Sequence, residues 1–216
     1  MCLFQQFSIQ TTIMNKLLLF LFIALNSSLV FAQKADSSAN KPGKARNIDG
    51  TLMSPSKTIL ENVSASSNFS TLTTIIKAAD STNTFNGNNP VTIFAPGNKA
   101  FEKLPAGQLD TLLLPAHKAQ LIILLKYQAI TGKVTSKDIL RQIKAGNGQA
   151  TFTALSGGVL TARINENRNI VLTDENGGQS VVSRFDIQQS NGILHVVTQV
   201  LMPKFTQELQ GNSKPQ

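Results

Sequence analysis

The sequence predicts an α+β domain, with helices first and strands after. Three observations carry that prediction. From residue 56 to residue 146, apolar side chains recur at the three-to-four spacing of a helix face. From 150 to 185 the period shortens to two, and turn residues punctuate the chain every few positions. The stretch 191–203, NGILHVVTQVLMP, closes the pattern with a strand that is apolar on both faces and therefore belongs inside a sheet.

Taken in order, the first segment reads as a secretory signal. Lys16 precedes an apolar run at 17–25, and Val30 and Ala32 stand where a small-residue cleavage site needs them. That run is too short for a membrane span, which takes about 20 apolar residues. No basic residue precedes Met14, which makes Met14 a candidate start. Cleavage is expected after Ala32. The organisation is then signal at 1–32, polar tether at 33–52, one domain at 53–205 and polar tail at 206–216, with no transmembrane segment left after cleavage.

Within the domain, Ser56 is placed to cap a helix carrying Ile59, Leu60 and Val63, and Asn68 a second carrying Phe69, Leu72, Ile75 and Ile76. Residues 83–90 are loop-like in composition. A short strand at 91–94 ends at Ala95-Pro96, and Asn98 is placed as the N-cap of a helix at 99–104. Helical stretches follow at 108–114 and 116–127, the second apolar almost all round and expected deep in the core. Ser136 is placed to cap a last helix through Ile139 and Ile143, closed by Gly146. Strands are expected at 150–155, 159–164, 169–173 and 180–185. The closing strand is expected from Ile193 to Met202, entered by an Asn191-Gly192 turn and stopped by Pro203.

Charge and residue usage remove several function classes. The one cysteine, Cys2, lies ahead of the apolar run, so the processed chain offers neither disulfides nor a thiolate. Beyond residue 32 there are 19 basic against 12 acidic residues, a balance that favours anionic partners. The basic residues are scattered, with no Trp and one Tyr, which argues against nucleic acid. The two histidines, His117 and His195, fall in unrelated segments, and no nucleophile elbow, zinc-protease pair or phosphate loop appears. Asp174-Glu175-Asn176-Gly177-Gly178 has the look of a calcium loop but lacks the distal ligands, and a hairpin turn accounts for it. No cofactor and no metal are expected. Asn62 and Asn68 head Asn-x-Ser triplets, read as chance occurrences.

Thr92-Ile93-Phe94-Ala95-Pro96-Gly97-Asn98-Lys99-Ala100-Phe101 resembles the first signature block of the fasciclin (FAS1) domain. The closing strand, with Asn191, Gly192, His195 and Pro203, resembles the second, and Tyr127-Gln128 falls where the family carries a Tyr-His pair. The resemblance covers about residues 55–204. It implies a FAS1 fold: an antiparallel β-sandwich or wedge against which the helices of the N-terminal half pack. Thr92, Phe94, Ala95, Pro96, Asn98, Phe101, Asn191, Gly192, His195 and Pro203 read as structural, His195 as a core histidine satisfied by a hydrogen bond. Gly97 stands where the family has Thr, and Gln128 where it has His.

The resemblance also implies a function. Animal members associate adhesion with the Tyr-His region and integrin binding with an Asp-Ile pair, which here matches Asp186-Ile187. A turn aspartate and a core isoleucine are the alternative reading of that pair. The binding candidates are thus Tyr127, Gln128, Asp186 and Ile187, and no catalytic residue is expected. The expected function is a noncatalytic adhesion module, secreted or periplasmic or on the cell surface, whose partner is a protein or polysaccharide of the envelope or matrix. A module that binds anionic glycans is the alternative.

Overall fold

The computed structural model describes residues 43–86 and 89–205. The expected signal at 1–32 and the tail at 206–216 lie outside the described residues.

The first element corrects the tether. Residues 46–53 form a hairpin, β1 (Arg46–Ile48) and β2 (Thr51–Met53), turned at Asp49-Gly50 with φ of 48° and 92°. Asp-Gly suits such a turn because both residues tolerate positive φ. Ile48 and Met53 are buried, so the hairpin belongs to the domain core.

Three helices, α1 (Ile59–Ser64), α2 (Ser70–Ala78) and α3 (Thr82–Asn86), precede the strand β3 (Val91–Pro96), and α4 (Asn98–Phe101) follows it. Helix α1 is capped by Thr58 and Glu61 in a reciprocal box, not by Ser56. Asn68 sits inside a 3₁₀ turn (Ser67–Phe69) and does not cap α2. Helix α3 replaces part of the expected loop, and the fully buried Phe85 ties it to the core. Then come α5 (Gln108–Leu113), a 3₁₀ turn (Pro115–His117), α6 (Lys118–Tyr127), β4 (Ala129–Thr131) and α7 (Ser136–Ala145). Helix α6 buries Leu121, Leu124, Leu125 and Tyr127 but leaves Ile122 and Ile123 half-buried.

The chain ends in β5 (Gln149–Thr153), β6 (Val159–Ile164), β7 (Ile170–Thr173), β8 (Gln179–Gln189) and β9 (Gly192–Val197). One seven-stranded sheet runs β4-β3-β9-β8-β7-β6-β5. Its two ends meet at a bridge between Ile130 and Ala154, which nearly closes it. The expectation of an antiparallel sheet holds for every pair but one: β3 and β9 are parallel, with Phe94 opposite His195. A parallel pair needs a crossover, and here the crossover runs from residue 97 to residue 191, through four helices and strands β4 to β8.

All residues of β3 and β9 are buried, and their alternation serves two cores. Ile93, Ala95, Leu194 and Val196 face the core with α1, α2 and α6. Phe94 and Val197 face the other, with Tyr127, Ile139, Leu160, Leu172 and Leu201. The expected strand to Met202 is shorter than read: its pairing with β8 ends at Val182–Val197, and Pro203 is not its stop. Beyond Thr198, side chains replace strand pairing. Ser180 Oγ bonds the Gln199 backbone, Gln128 Oε1 accepts from Leu201 N–H, and Asp174 Oδ2 accepts from Met202 N–H.

Candidate functional site

The signature side chains converge around the β3–β9 pair, and nearly all of them bond inward. His195 has no exposed surface and stacks on Phe94, ring centroids 5.6 Å apart. Its Nε2 lies 2.9 Å from the Val134 carbonyl and so carries the proton, leaving Nδ1 to accept from the Asp186 N–H at 3.3 Å. Burial lowers the imidazole pKa, and the Val134 carbonyl and the Asp186 charge oppose that only in part. Thr92 holds the other side of this contact. Its hydroxyl donates to the Gly132 carbonyl at 2.7 Å and accepts from Val134 N–H at 2.8 Å, which fixes the loop that meets His195.

Three signature polar residues each cap a helix that is remote in sequence. Asp186 interrupts β8 as a bulge with φ of 59°, and its carboxylate accepts both the N–H of Ser136 (2.7 Å) and the Ser136 hydroxyl. It therefore caps α7 from across the fold, while Thr135 and Asp138 form the local capping box. Ser136 is accordingly the first helical residue and not the cap expected from sequence. Asn191 Oδ1 accepts from Ile59 N–H, the first residue of α1, and its amide donates to the Phe85 carbonyl. Asn98 does not cap its own helix; Gly97 occupies that position. Instead, Asn98 Oδ1 accepts from Thr71 N–H and its amide reaches the Ser67 carbonyl, which serves α2, a helix with no local side-chain cap.

Gly192 corrects the reading of the Asn191-Gly192 turn. Neither residue has positive φ. Glycine is needed there because a Cβ would sit 2.0 Å from the Val91 carbonyl oxygen.

The binding candidates are placed where a partner cannot reach most of them. Tyr127 is fully buried; its hydroxyl donates to the Val159 carbonyl at 2.7 Å and accepts from Glu175 N–H at 3.1 Å. That burial raises its pKa. Gln128, 2% exposed, donates to the Leu124 and Leu201 carbonyls. Ile187 is 1% exposed, and Asp186 is half-buried with its carboxylate occupied. In the structure Tyr127 and Gln128 brace the segment after β9, while Asp186 and Ile187 lock β8 to α7 and the core.

Asp174–Gly178 belongs to the same bracing. Asp174 Oδ1 accepts from Asn176 and Gly178 N–H groups and Oδ2 from Met202 N–H, while the Asn176 amide donates to the Met202 and Pro203 carbonyls. These are the bonds of a turn that holds the end of the domain. Among the described residues no group of three or more His, Cys, Asp or Glu side chains is placed to hold a metal ion. Asn62, heading one Asn-x-Ser triplet, is buried and bonded to Ser54 and Gln189. His117 is half-buried and bonded to Gln120.

An open cleft of about 460 Å³ lies beside the end of β9, lined by Asn68, Lys99, Lys103, Ser183, Val197 and Thr198 among others. Sequence reasoning missed these residues. Gly97 also lines it, and a Cβ there would meet the Asn68 carbonyl oxygen at 3.6 Å, an ordinary contact.

Comparison with known proteins follows the same segments. The family model of the Fasciclin domain matches residues 67–203, well over half of the chain. Protein sll1483 of Synechocystis is 35% identical over 146 residues, which cover 68% of this chain and 73% of that protein. Rabbit transforming growth factor-beta-induced protein ig-h3 is 29% identical over 170 residues, 78% of this chain but 22% of that protein. Human periostin is 32% identical over 112 residues, 52% of this chain and 12% of that protein. In structure, the FAS1 domain pair of the insect cell adhesion molecule Fasciclin I superposes with a TM-score of 0.57 at 19% identity, covering 71% of this chain and 52% of that one. With the family model covering both signature blocks and the fold reproduced, the chain is a member of the fasciclin domain family.

Proposed function

We propose that this protein is an exported, noncatalytic interaction module that binds a protein or matrix partner outside the cytoplasm. One observation carries the reading most directly. The side chains that could have supplied chemistry, His195, Tyr127 and Asp186, are each engaged in bonds that hold the fold together. A buried neutral imidazole bonded on both nitrogens has no route to a substrate. What the chain presents outward is scaffold surface, and the matched insect structure belongs to a cell adhesion molecule. The apolar run at 17–25 and the small-residue exit at Ala32 support export.

The test is binding in the compartment the reading names. Tagged protein immobilised against envelope and culture-medium fractions should capture a partner saturably, and untagged protein should compete it off. A broad hydrolase screen should show no turnover. Absence of competable capture from both fractions, or turnover abolished by His195→Gln in a folded variant, would overturn the proposal.

A further inference from the structure

The face formed by α7 and the β8 bulge carries both exposed cations and exposed apolar side chains. On α7, Lys137, Arg141 and Lys144 stand at i, i+4 and i+7, all exposed, on the side away from the buried Ile139 and Ile143. At a rise of 1.5 Å per residue they form a cationic stripe roughly 10 Å long. Leu140, 44% exposed, borders the stripe one turn after Ser136. Ser136 is bonded to Asp186, and next to Asp186 stands Phe185, 48% exposed. Arg46 reaches across from β1 to the Phe185 carbonyl at 2.5 Å, and Arg184 is exposed on the preceding position. The bonds from Ser136 to Asp186 and from Arg46 to the Phe185 carbonyl bring five cations and two exposed apolar side chains to neighbouring positions.

The acidic groups of this face do not project outward in the same way. Asp186 is spent on Ser136, and Asp138 bonds Thr135 and Arg141. Asp49 lies 3.8 Å from Arg184. Five cations against three acids leave the patch positive, and two of those acids are held by backbone N–H groups.

We infer that this face docks the protein on the surface of an anionic phospholipid bilayer. The cations match headgroup phosphates, each Lys or Arg near such a surface strengthening binding about fivefold. Phe185 and Leu140 match the boundary just beneath, where apolar side chains enter about 5–10 Å. What favours a bilayer over a polysaccharide is the exposed phenyl of Phe185 and isobutyl of Leu140 beside the cations, which a hydrated glycan would leave without an apolar environment. The inference does not depend on the proposed adhesive role.

Co-sedimentation of the full chain tests it, using vesicles of phosphatidylcholine alone and with about a third phosphatidylglycerol. The N-terminal apolar run is common to every sample, so the readout is the increment caused by anionic lipid. That increment should be lost at high salt. The triple variant K137E/R141E/K144E should bind anionic vesicles at least about 100-fold more weakly. Phe185→Ser with Leu140→Ser should weaken binding and leave its salt dependence intact. The altered side chains are exposed, and an unchanged melting temperature confirms folding. No increment on anionic lipid, an increment untouched by the triple variant, or salt-sensitive capture by anionic polysaccharide without vesicle binding would each overturn the inference.

Discussion

Replacing Asp186 with alanine removes the remote cap of α7 while leaving the local capping box in place. Two bonds disappear, from the Ser136 N–H and from the Ser136 hydroxyl. Loss of a side-chain cap costs about 0.5–2 kcal/mol, and hydrogen bonds to a charged acceptor sit at the upper end of the range for such bonds. Alanine must also hold φ of 59°, a left-handed conformation costing an L-residue roughly 1–2 kcal/mol, where aspartate has some tolerance. The sum is about 2–3 kcal/mol, reduced somewhat because Asp186 is only half-buried. In thermal unfolding that is a fall in Tm of about 5–10 °C for a domain of this size. Three variants separate the two causes. Asp186→Gly loses the cap but not the φ tolerance and should recover about 1 kcal/mol relative to alanine. Asp186→Asn keeps an acceptor and should be the mildest. Hydrogen exchange should rise at the Ser136 amide in the alanine and glycine variants and stay near wild type in the asparagine one. If alanine costs less than about 0.5 kcal/mol, or asparagine proves as costly as alanine, the cap is not what holds the bulge to α7.

Further expectations come from the same geometry. Burial lowers the His195 pKa in the folded state, so folding binds fewer protons than unfolding and stability falls as pH drops below the unfolded value of about 6.5. Stability in urea titrations should therefore fall between about pH 6.5 and 5.5, and that fall should be absent from a folded His195→Asn variant. The single tyrosine has its pKa raised by burial, so no phenolate absorbance should develop near pH 10.5 until the domain unfolds. Tyr127→Phe leaves the Val159 carbonyl and the Glu175 N–H without their partner and should cost about 1–3 kcal/mol. Gly192→Ala drives a Cβ into the Val91 carbonyl and should abolish folding or cost more than about 3 kcal/mol; Gly97→Thr, whose Cβ would make only an ordinary contact of 3.6 Å with the Asn68 carbonyl oxygen, should fold with little change in Tm.

The polar signature residues show how far the sequence could be read. Asn98, Asn191 and Asp186 were recognisable as cap-forming or turn-forming types, since a short side chain with an oxygen acceptor is what a helix terminus needs. The helices they serve were not recognisable. Asp186 reaches Ser136 across 50 positions and Asn191 reaches Ile59 across 132, and no local pattern encodes a partner at that distance. The expected caps Ser56 and Asn68 failed for a related reason: Thr58 offers the same chemistry two residues later with Glu61 in reach, and the chain at Asn68 tightens into a 3₁₀ turn.

By itself the sequence determined the helix-then-strand order, the family blocks, the burial of His195 and both apolar faces of the closing strand, because these follow from periodicity and residue type. Tertiary structure alone decided that β9 lies parallel to β3, that the hairpin at 46–53 joins the core, and that Tyr127, Gln128 and Ile187 are inside. The physical reason is that a strand's period tells how many of its faces are buried but not which strand lies beside it. A polar side chain's chemistry likewise says that it must be bonded, while only the folded chain selects between a partner's surface and a carbonyl of its own core.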